Sequence, residues 1–252
     1  MTGTNQIVLE AFKLTSLLLM IDWWSSSAAA QVYPKWFLDQ GMLDCLESTV
    51  GYANASFYDS SAIAEAKQTG EETWAKNKWT RVDGNETYWV TELGTSWIRS
   101  SFWEEYDPTI VANAATFLRP VDTARAAGTT ILLMSSPECT VNQELRRPIA
   151  VGRDSVPSWV ESPPSSPFYH YAVGIAPQYH YESSSWLEAE SVARRNIARI
   201  VCVTLQALQK KAYESEEVRQ EKISVEIKGV QTVARWRDPV TSIFFVLVRM
   251  PI

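Results

Sequence analysis

The sequence predicts an α+β protein made of two tandem β-α-β-β modules, each a small, mainly antiparallel sheet covered by a long helix. Three observations support this prediction: an internal repeat at a spacing of 123 residues, strand-like segments on either side of an amphipathic helix, and a composition suited to a packed core. Hydrophobic residues make up 46% and charged residues 21% of the chain, as in soluble globular proteins.

The internal repeat defines the two modules. Ten of the 33 residues from 34 to 66 are identical to the residues 123 positions later, without a gap. Such self-similarity indicates that one structural unit occurs twice in the chain. The residues that we expect to have structural roles in the repeat are Pro34, Trp36, Gly51 and Tyr58 in the first copy and Pro157, Trp159, Gly174 and Tyr181 in the second.

The second copy shows its first strand and its helix most clearly. In residues 171–176, larger apolar side chains alternate with small ones, which is typical of a strand with one buried face. A capping box at 185–188 predicts the start of a helix. Ala189, Ala193 and Ile197 then follow at a spacing of four and predict a buried stripe along that helix.

Further strands complete the second copy. Residues 223–228 alternate apolar and polar side chains, which predicts a half-buried strand. We expect a bulge at Gly229, after which the chain continues extended to Arg237. The run at 243–248 is apolar at every position, which predicts a central strand covered on both faces.

The first copy follows the same plan in a longer chain. It predicts a strand at 49–53 and a helix that begins near Ser60, and residues 80–118 are extra material without a predicted fold. The apolar run at 131–134 precedes Pro137, as the run at 243–248 precedes Pro251. We therefore divide the chain into a first module at 31–137 that includes the extra segment, a linker at 138–156 and a second module at 157–252.

The first 30 residues have the features of an export signal. Lys13 precedes an apolar run at 14–21, and small residues at 28 and 30 fit an A-x-A cleavage site before Gln31. The apolar run is too short to cross a bilayer as a helix. An uncleaved amphipathic or disordered arm is the alternative interpretation. We expect residues 1–30 to direct export.

The three cysteines predict one oxidised pair and one buried thiol. Cys45 precedes the first strand of the first copy, and Cys139 follows its last strand. If these strands are antiparallel neighbours, both cysteines lie at the same end of the sheet, and we expect a Cys45–Cys139 disulfide in an oxidising compartment. Cys202 lies in an apolar helical run and is expected to stay a free, buried thiol.

Motifs that would carry chemistry are missing from the sequence. It has no phosphate-binding loop, zinc-protease motif or nucleophile elbow. His170 and His180 could hold a metal together with Glu182, but half-exposed histidines at aromatic strand ends are the simpler interpretation. We expect no catalytic residue, no cofactor and no metal site, and therefore no enzyme.

Aromatic residues in the extra segment mark a candidate contact surface. Trp97, Phe102, Trp103 and Tyr106 either fill a core or contact the other module or another subunit, since large aromatic side chains dominate such contacts. The net charge of −6, without a basic cluster, argues against nucleic acid as a partner. We expect a protein partner, with a homo-oligomer as one option, and no transmembrane span.

An ordered set of short motifs spans residues 156–251. It comprises Pro157-Ser-Trp159 with Pro163-Pro164, the strand from Tyr171 to Ala176, the helix from Ala189 to Ala193, Gly229-Val230, and Trp236-x-Asp238 before Phe245–Val248. This set resembles the LPP20 lipoprotein family and is similar to the N-terminal domain of the flagellar outer-membrane-ring protein T. The resemblance implies a non-catalytic protein of the bacterial envelope. No Cys follows the N-terminal apolar run at a lipobox position, which departs from the lipoprotein pattern, so we expect a secreted or periplasmic product.

These observations predict an exported, non-enzymatic structural or assembly protein of the bacterial cell envelope or exterior. Its expected location is periplasmic, outer-membrane-associated or extracellular, and self-assembly fits the tandem modules. The alternative is a binding module that holds a small ligand or a glycan through exposed Trp and Tyr side chains.

Overall fold

The described part of the chain is an α+β protein, as the sequence predicts. The computed structural model describes residues 31–45, 47–91, 94–152, 156–209 and 218–252. The expected export signal at 1–30 lies outside these residues. Across the described ranges there are six α-helices and 11 strands, and every strand pairing is antiparallel.

The helices and strands have the following bounds. The strands are β1 (Val32–Pro34), β2 (Ser48–Asn54), β3 (Trp79–Thr91), β4 (Gly94–Glu105), β5 (Arg119–Ala126), β6 (Thr129–Ser135), β7 (Pro148–Ala150), β8 (Tyr169–Ala176), β9 (Val218–Lys228), β10 (Gln231–Arg237) and β11 (Phe244–Pro251). The helices are α1 (Lys35–Leu38), α2 (Asp59–Lys78), α3 (Pro108–Phe117), α4 (Gln143–Arg146), α5 (Ser158–Glu161) and α6 (Glu182–Gln209), and a 3-10 helix spans Gln40–Met42.

Two of the three-stranded sheets have the same strand order. In the sheets β2-β6-β5 and β8-β11-β10, the central strand is the last of the three in sequence. It pairs with the first of the three in sequence on one side and with the second on the other. The third sheet, β4-β3-β9, takes strands from both halves of the chain, and β1 pairs with β7 in a two-stranded sheet. The predicted central position of the run at 243–248 is confirmed, because β11 lies between β8 and β10.

Each long helix lies against its sheet at a glycine. A Cβ atom at Gly51 would lie 1.7 Å from the carbonyl oxygen of Ala66, and one at Gly174 would lie 1.9 Å from that of Ala189. Both distances are far below any allowed contact, so only a residue without a side chain lets the helix backbone approach this closely. In each half the glycine and the helix residue that it meets are 15 positions apart.

Helix α6 begins earlier than the predicted capping box. Its first residue is Glu182, three positions before Ser185. The carbonyl oxygen of Tyr181 accepts a hydrogen bond from the Ser185 N–H at 3.4 Å, which places the first helical turn ahead of the serine. The Ser185 hydroxyl instead accepts a hydrogen bond from the backbone N–H of Tyr179 at 2.8 Å. Helix α2 begins at Asp59, 123 residues before Glu182.

The strand predicted at 223–228 belongs to another sheet than expected. The sequence pattern predicts one extended segment with a bulge at Gly229. Instead, β9 pairs with β3 of the first half, and Gly229, with a φ of 69°, turns the chain into β10. A positive φ is accessible to glycine without steric cost, so this residue allows the change of sheet. The bulge lies at Val233, where the register of β10 shifts between Thr232 and Ala234.

The extra segment and the linker both contain regular structure. Residues 80–118 form most of the β3–β4 hairpin and helix α3, and α3 packs on α2 in a small separate core with Ala66, Ala114 and Leu118. Asp107 caps α3 by accepting a hydrogen bond from the backbone N–H of Thr109 at 2.8 Å. The segment interpreted as a linker contains α4 and β7.

Helix α6 lies between the two sheets that share a strand order. On one side its backbone lies against β8 at Gly174. On the other side Glu190 contacts Tyr52 of β2, and the ring of Trp186 lies 5.2 Å from that of Phe37 in α1. Because α6 is covered on both sides, the two halves share a single main hydrophobic core.

Candidate interaction surfaces

A stripe of four side chains on α6 joins the two halves. Glu182, Trp186, Glu190 and Arg194 recur every four residues, and all four are buried. Side chains at this spacing lie on one helix face. Helix α6 therefore buries a second face beside the predicted apolar stripe, and Arg194, which lies off that stripe, is only 4% exposed.

The centre of this stripe is a buried ion pair. Arg235 of β10 donates a hydrogen bond to Glu190 at 2.8 Å, and the two side chains are 1% and 2% exposed. The Tyr52 hydroxyl donates to the same carboxylate oxygen at 2.8 Å, and the Gln40 side chain accepts from Arg235 at 2.7 Å. Burial raises the pKa of Tyr52, so the phenol keeps the proton that it donates. The cluster thereby ties α6 to β2 and β10.

A second buried carboxylate lies at the start of α6. Glu182 accepts hydrogen bonds from the Tyr33 hydroxyl at 2.7 Å and from the Trp186 indole at 3.1 Å. Arg237 lies 3.5 Å from its other oxygen. Burial raises the pKa of Glu182 above the usual 4.5, because desolvation of the carboxylate outweighs these favourable contacts.

Replacing Glu182 by Gln should make the stability less dependent on pH between about 4.5 and 7. The folded protein holds the Glu182 proton more tightly than the unfolded chain. The contribution of Glu182 to the free energy of unfolding is therefore fully present when the pH is below the pKa of this group in the unfolded chain. It is lost as the pH rises through the raised pKa of the group in the folded protein. The amide of the variant keeps the oxygen that accepts from Tyr33 but does not titrate.

Urea unfolding at about pH 4.5 and at about pH 7 measures this effect, as the difference between the free energies of unfolding at the two pH values. The same change at Glu161, an exposed carboxylate on α5, serves as the control. Equal pH dependence in the Glu182 variant and the parent protein would contradict the assigned shift.

Strand β4 contacts α6 at Arg194, the last residue of this stripe, and at Arg199 in the following turn. Arg194 binds Glu104 with an N–O distance of 2.9 Å, and the guanidinium of Arg199 lies 4.6 Å from the centre of the Phe102 ring. Both contacts join the extra segment to the second half. Phe102, one of the four aromatic residues proposed for a contact surface, thus lies against the second half.

The other three aromatic residues of that set have different positions. Trp103 is 52% exposed. The Tyr106 ring lies 5.1 Å below the ammonium group of Lys76, which belongs to α2 in the first half. The side chain of Trp97 lies outside the described part of the chain. The extra segment therefore contacts both halves and leaves one tryptophan at the surface.

A disulfide joins Cys45 to Cys139. Their Cα atoms are 4.7 Å apart, and the bond closes a loop with a sequence separation of 94 residues. The geometry follows from the antiparallel pairing of β2 with β6, in which Ser48 lies opposite Ser135 at the end of the sheet. Cys202 is buried and takes no part in a disulfide.

Reduction of this disulfide should lower the free energy of unfolding by about 3 kcal/mol, because the bond restricts a long loop in the unfolded chain. Urea unfolding with and without a reductant measures the change. A double variant, Cys45→Ser with Cys139→Ser, should unfold like the reduced protein and should not respond to the reductant. Identical midpoints for the oxidised and reduced parent protein would show that the bond does not stabilise the fold.

The outward face of β8 is an apolar surface, here called the β8 face and defined by Tyr171, Val173 and Ile175. These side chains point away from α6, since they alternate with the helix-facing Gly174. Ile175 is 51% exposed, and the other two are partly buried. Helix α5 packs against the neighbouring strand β11.

A second exposed surface is formed by the loops that precede the two long helices. We call it the aromatic end and define it by Phe57, Tyr58, Tyr179 and Tyr181. Their exposed fractions range from 43% to 91%. The two loops are adjacent, because Ser183 donates a hydrogen bond to Asn54 at 2.5 Å. Tyr58 and Tyr181, proposed as structural residues of the repeat, therefore lie at the surface and contribute little to the core.

The other repeat residues lie in matching elements of the two halves. Pro34 and Pro157 precede α1 and α5 with nearly the same backbone angles, a φ of −66° in both. Trp36 lies in α1 and is buried, and Trp159 lies in α5 and is partly buried. The Trp36 indole donates a hydrogen bond to Asp122 at 3.1 Å.

Groups that could hold a metal do not come together within the described ranges. No cluster of three or more His, Cys, Asp or Glu side chains occurs there. The His180 ring packs edge-on against the neighbouring Tyr181 at 4.6 Å. A cleft of about 130 Å³ lies beside the disulfide, and its Glu47 carboxylate is already bound by Lys78 and by the Trp74 indole.

Comparison with known proteins gave no match, because no family model fits the chain and neither a curated protein nor a solved structure is significantly similar. Among the helices that the structure describes, none is long and apolar enough to cross a membrane.

The buried charges of the α6 stripe are not predicted by the sequence pattern. Their signal is the spacing of Glu182, Trp186, Glu190 and Arg194, each four residues after the one before. Charged residues at such a spacing are more often exposed, so the pattern alone does not indicate burial. Arg235, the partner of Glu190, lies 45 positions away, and no local pattern links the two.

Proposed function

We propose that this chain is an exported, non-enzymatic assembly protein of the bacterial cell envelope or exterior, built from two tandem copies of one β-α-β-β unit. The units are β2-α2-β5-β6 and β8-α6-β10-β11. They share a strand order, a glycine contact between the first strand and the helix, and a helix start at the same spacing of 123 residues. Strands β3 and β9 are insertions in these units that pair with each other.

The register of the sheets refines the alignment of the two units. Leu132 lies opposite Gly51, and Val246 lies opposite Gly174, so the last strands are offset by 114 residues. In the preceding strands, Thr123 pairs with Leu132 as Arg235 pairs with Val246. The preceding strands are therefore offset by 112 residues, from Thr123 to Arg235.

One observation carries the assembly function: the β8 face is partly exposed in the second unit, most of all at Ile175, whereas the same face of β2 is covered in the first. Val50 and Tyr52 of β2 are 0% and 1% exposed, and Ile175, at the position of Tyr52, is 51% exposed. An apolar sheet face that stays open favours a protein partner.

Export and family membership complete the proposal. The Cys45–Cys139 disulfide supports an oxidising compartment, such as the periplasm or the exterior. Membership of an LPP20-like family rests on the sequence resemblance of residues 156–251. Periplasmic, outer-membrane-associated and extracellular locations all agree with these features.

Size-exclusion chromatography with light scattering tests the assembly function. The monomer mass of the full chain is 28.5 kDa, and we expect species of higher mass whose proportion rises with concentration. Export is tested separately by fusing residues 1–31 to a phosphatase that is active only after export. A chain that stays monomeric at high concentration would contradict assembly, and an inactive fusion would contradict export.

A second candidate function, binding of a glycan or small ligand, is favoured by the aromatic end. Four exposed aromatic rings on adjacent loops can stack on the apolar faces of sugar rings. Titration with oligosaccharides, followed by calorimetry, tests this function. Binding that is lost in the double variant Tyr58→Ala with Tyr181→Ala would support it, and absence of any heat of binding would oppose it.

A further inference from the structure

We propose that the β8 face binds helix α2 of a second copy of this chain, in the same way that α6 covers β2 within one chain. The proposal rests on the proposed assembly function and names the partner and the contact. Three features support it. The contact between α6 and β2 inside one chain serves as a template, and its two sides recur as the β8 face and an exposed stripe on α2. The edge of β8 is partly occupied, which leaves its face for a partner.

The template is the contact between α6 and β2. Glu190 of α6 accepts a hydrogen bond from Tyr52 at 2.8 Å, and Trp186 packs on Phe37, whose ring lies 6.1 Å from that of Tyr52. Tyr52 and Val50 point away from α2, since Gly51 between them meets α2. The first sheet is therefore covered by its own helix on one face and by the helix of the other unit on the opposite face.

The sheet of the second unit packs on its own helix α6 and, at β11, on the short helix α5, and within the described residues no long helix of the other unit covers β8. Val173 and Ile175 lie 123 residues after Val50 and Tyr52 and point away from α6 in the same way. Both are β-branched apolar residues, which gain free energy when they are removed from water. The face thus keeps the apolar character of its counterpart, although no helix in the described part of the chain lies against it as α6 lies against β2.

The helix side of the template is also repeated on α2. Residues 123 positions before Glu182, Trp186 and Glu190 are Asp59, Ile63 and Lys67. Ile63 is 39% exposed, although it takes the position of the fully buried Trp186. The side chains of Asp59 and Lys67 are 70% and 43% exposed. This stripe, with an apolar residue between two charged ones, is accessible to another molecule.

The edge of β8 is less suited to a partner than its face. The side chain of Asn196 on α6 donates a hydrogen bond to the backbone carbonyl of Val173 at 2.8 Å. On the equivalent edge strand β2, the Thr69 hydroxyl binds the backbone N–H and carbonyl of Tyr52 at 2.8 Å and 2.6 Å. Both edges are thus partly occupied by the covering helix, which disfavours addition of a strand from another chain.

The two sides of the proposed contact lie on different units of the chain. A contact between unlike surfaces is heterologous, so each bound copy exposes a free α2 at one end and a free β8 face at the other. Assembly by this contact continues until a ring closes or a filament forms. A symmetric dimer through the β8 face alone is the competing arrangement.

Cross-linking between single cysteines tests the contact. The variants Ile63→Cys and Ile175→Cys replace exposed residues in a Cys202→Ser background, and a short bismaleimide links thiols that come close. We expect no dimer from either variant alone, a dimer from their mixture, and a ladder of higher species when both changes are in one chain. Val240→Cys, at an exposed residue of the β10–β11 turn, is the control and should give no specific product.

Affinity gives an independent readout. Ile175→Asp and Ile63→Asp should each raise the dissociation constant of self-association at least about tenfold, since a charge replaces a central apolar contact. Val240→Asp should leave it unchanged.

The outcomes separate this inference from the assembly function. Cross-linked dimers from the Ile175→Cys variant alone would overturn the head-to-tail contact while the assembly function stands. The same holds if the parent chain forms oligomers but the mixture of the two single variants gives no cross-linked product. A parent chain that is monomeric at every concentration would overturn both.

Discussion

Replacing Arg235 by Ala should lower the free energy of unfolding by about 3 to 5 kcal/mol, because Glu190 then stays buried without its charged partner. Arg235 is 1% exposed and also binds the Gln40 side chain and the Phe37 carbonyl at 2.7 Å and 3.2 Å. Its loss therefore removes support from β2, α1 and α6 at once. We expect the two halves to separate at lower urea concentrations than in the parent protein.

Equilibrium unfolding in urea, followed by tryptophan fluorescence, measures this loss. Arg125→Ala is the matched control, since Arg125 forms an ion pair with Asp59 in which both side chains are more than half exposed. Exposed pairs contribute at most about 1 kcal/mol. A double variant, Glu190→Leu with Arg235→Met, should recover part of the stability, because it leaves no buried charge. A loss no larger than that of the control would show that the buried pair does not hold the halves together.

Replacing Gly51 or Gly174 by Val should each cost about 4 kcal/mol or more, which is the range of the most destabilising substitutions. In both positions a side chain would collide with backbone atoms of the covering helix, at 1.7 Å from the Ala66 oxygen and 1.9 Å from the Ala189 oxygen. A side-chain neighbour can rotate away, but a helix backbone must move as a whole. The helix would lift from the sheet and open the core.

Thermal unfolding of the two variants provides the measurement. Because both glycines make the same contact, we expect similar losses, which also tests the proposed tandem units. Ile175→Val, a conservative change on the same strand as Gly174, should change the stability by less than about 0.5 kcal/mol. A large loss at one glycine and none at the other would contradict the equivalence of the two units.

The strands and long helices of the second half could be predicted from sequence because their signals are local. Alternating side chains at 171–176 predict β8, and the apolar run at 243–248 predicts β11 as a central strand. The helix start was misplaced by three residues because Ser185 and Glu188 fit a capping box, whereas the Tyr181 carbonyl already accepts the Ser185 N–H. The local side-chain pattern identifies the helix but does not determine at which residue its first turn begins.

The α+β class and the long helix after β2 and after β8 could be predicted from sequence. These properties depend on side-chain periodicity and on the repeat spacing. The folded structure was needed to show that each helix meets its strand at a glycine, that β9 pairs with β3, and that Glu190 binds Arg235 and Tyr52. Such pairings join residues that are far apart in sequence, and their free energy comes from contacts that exist only when both halves have folded together.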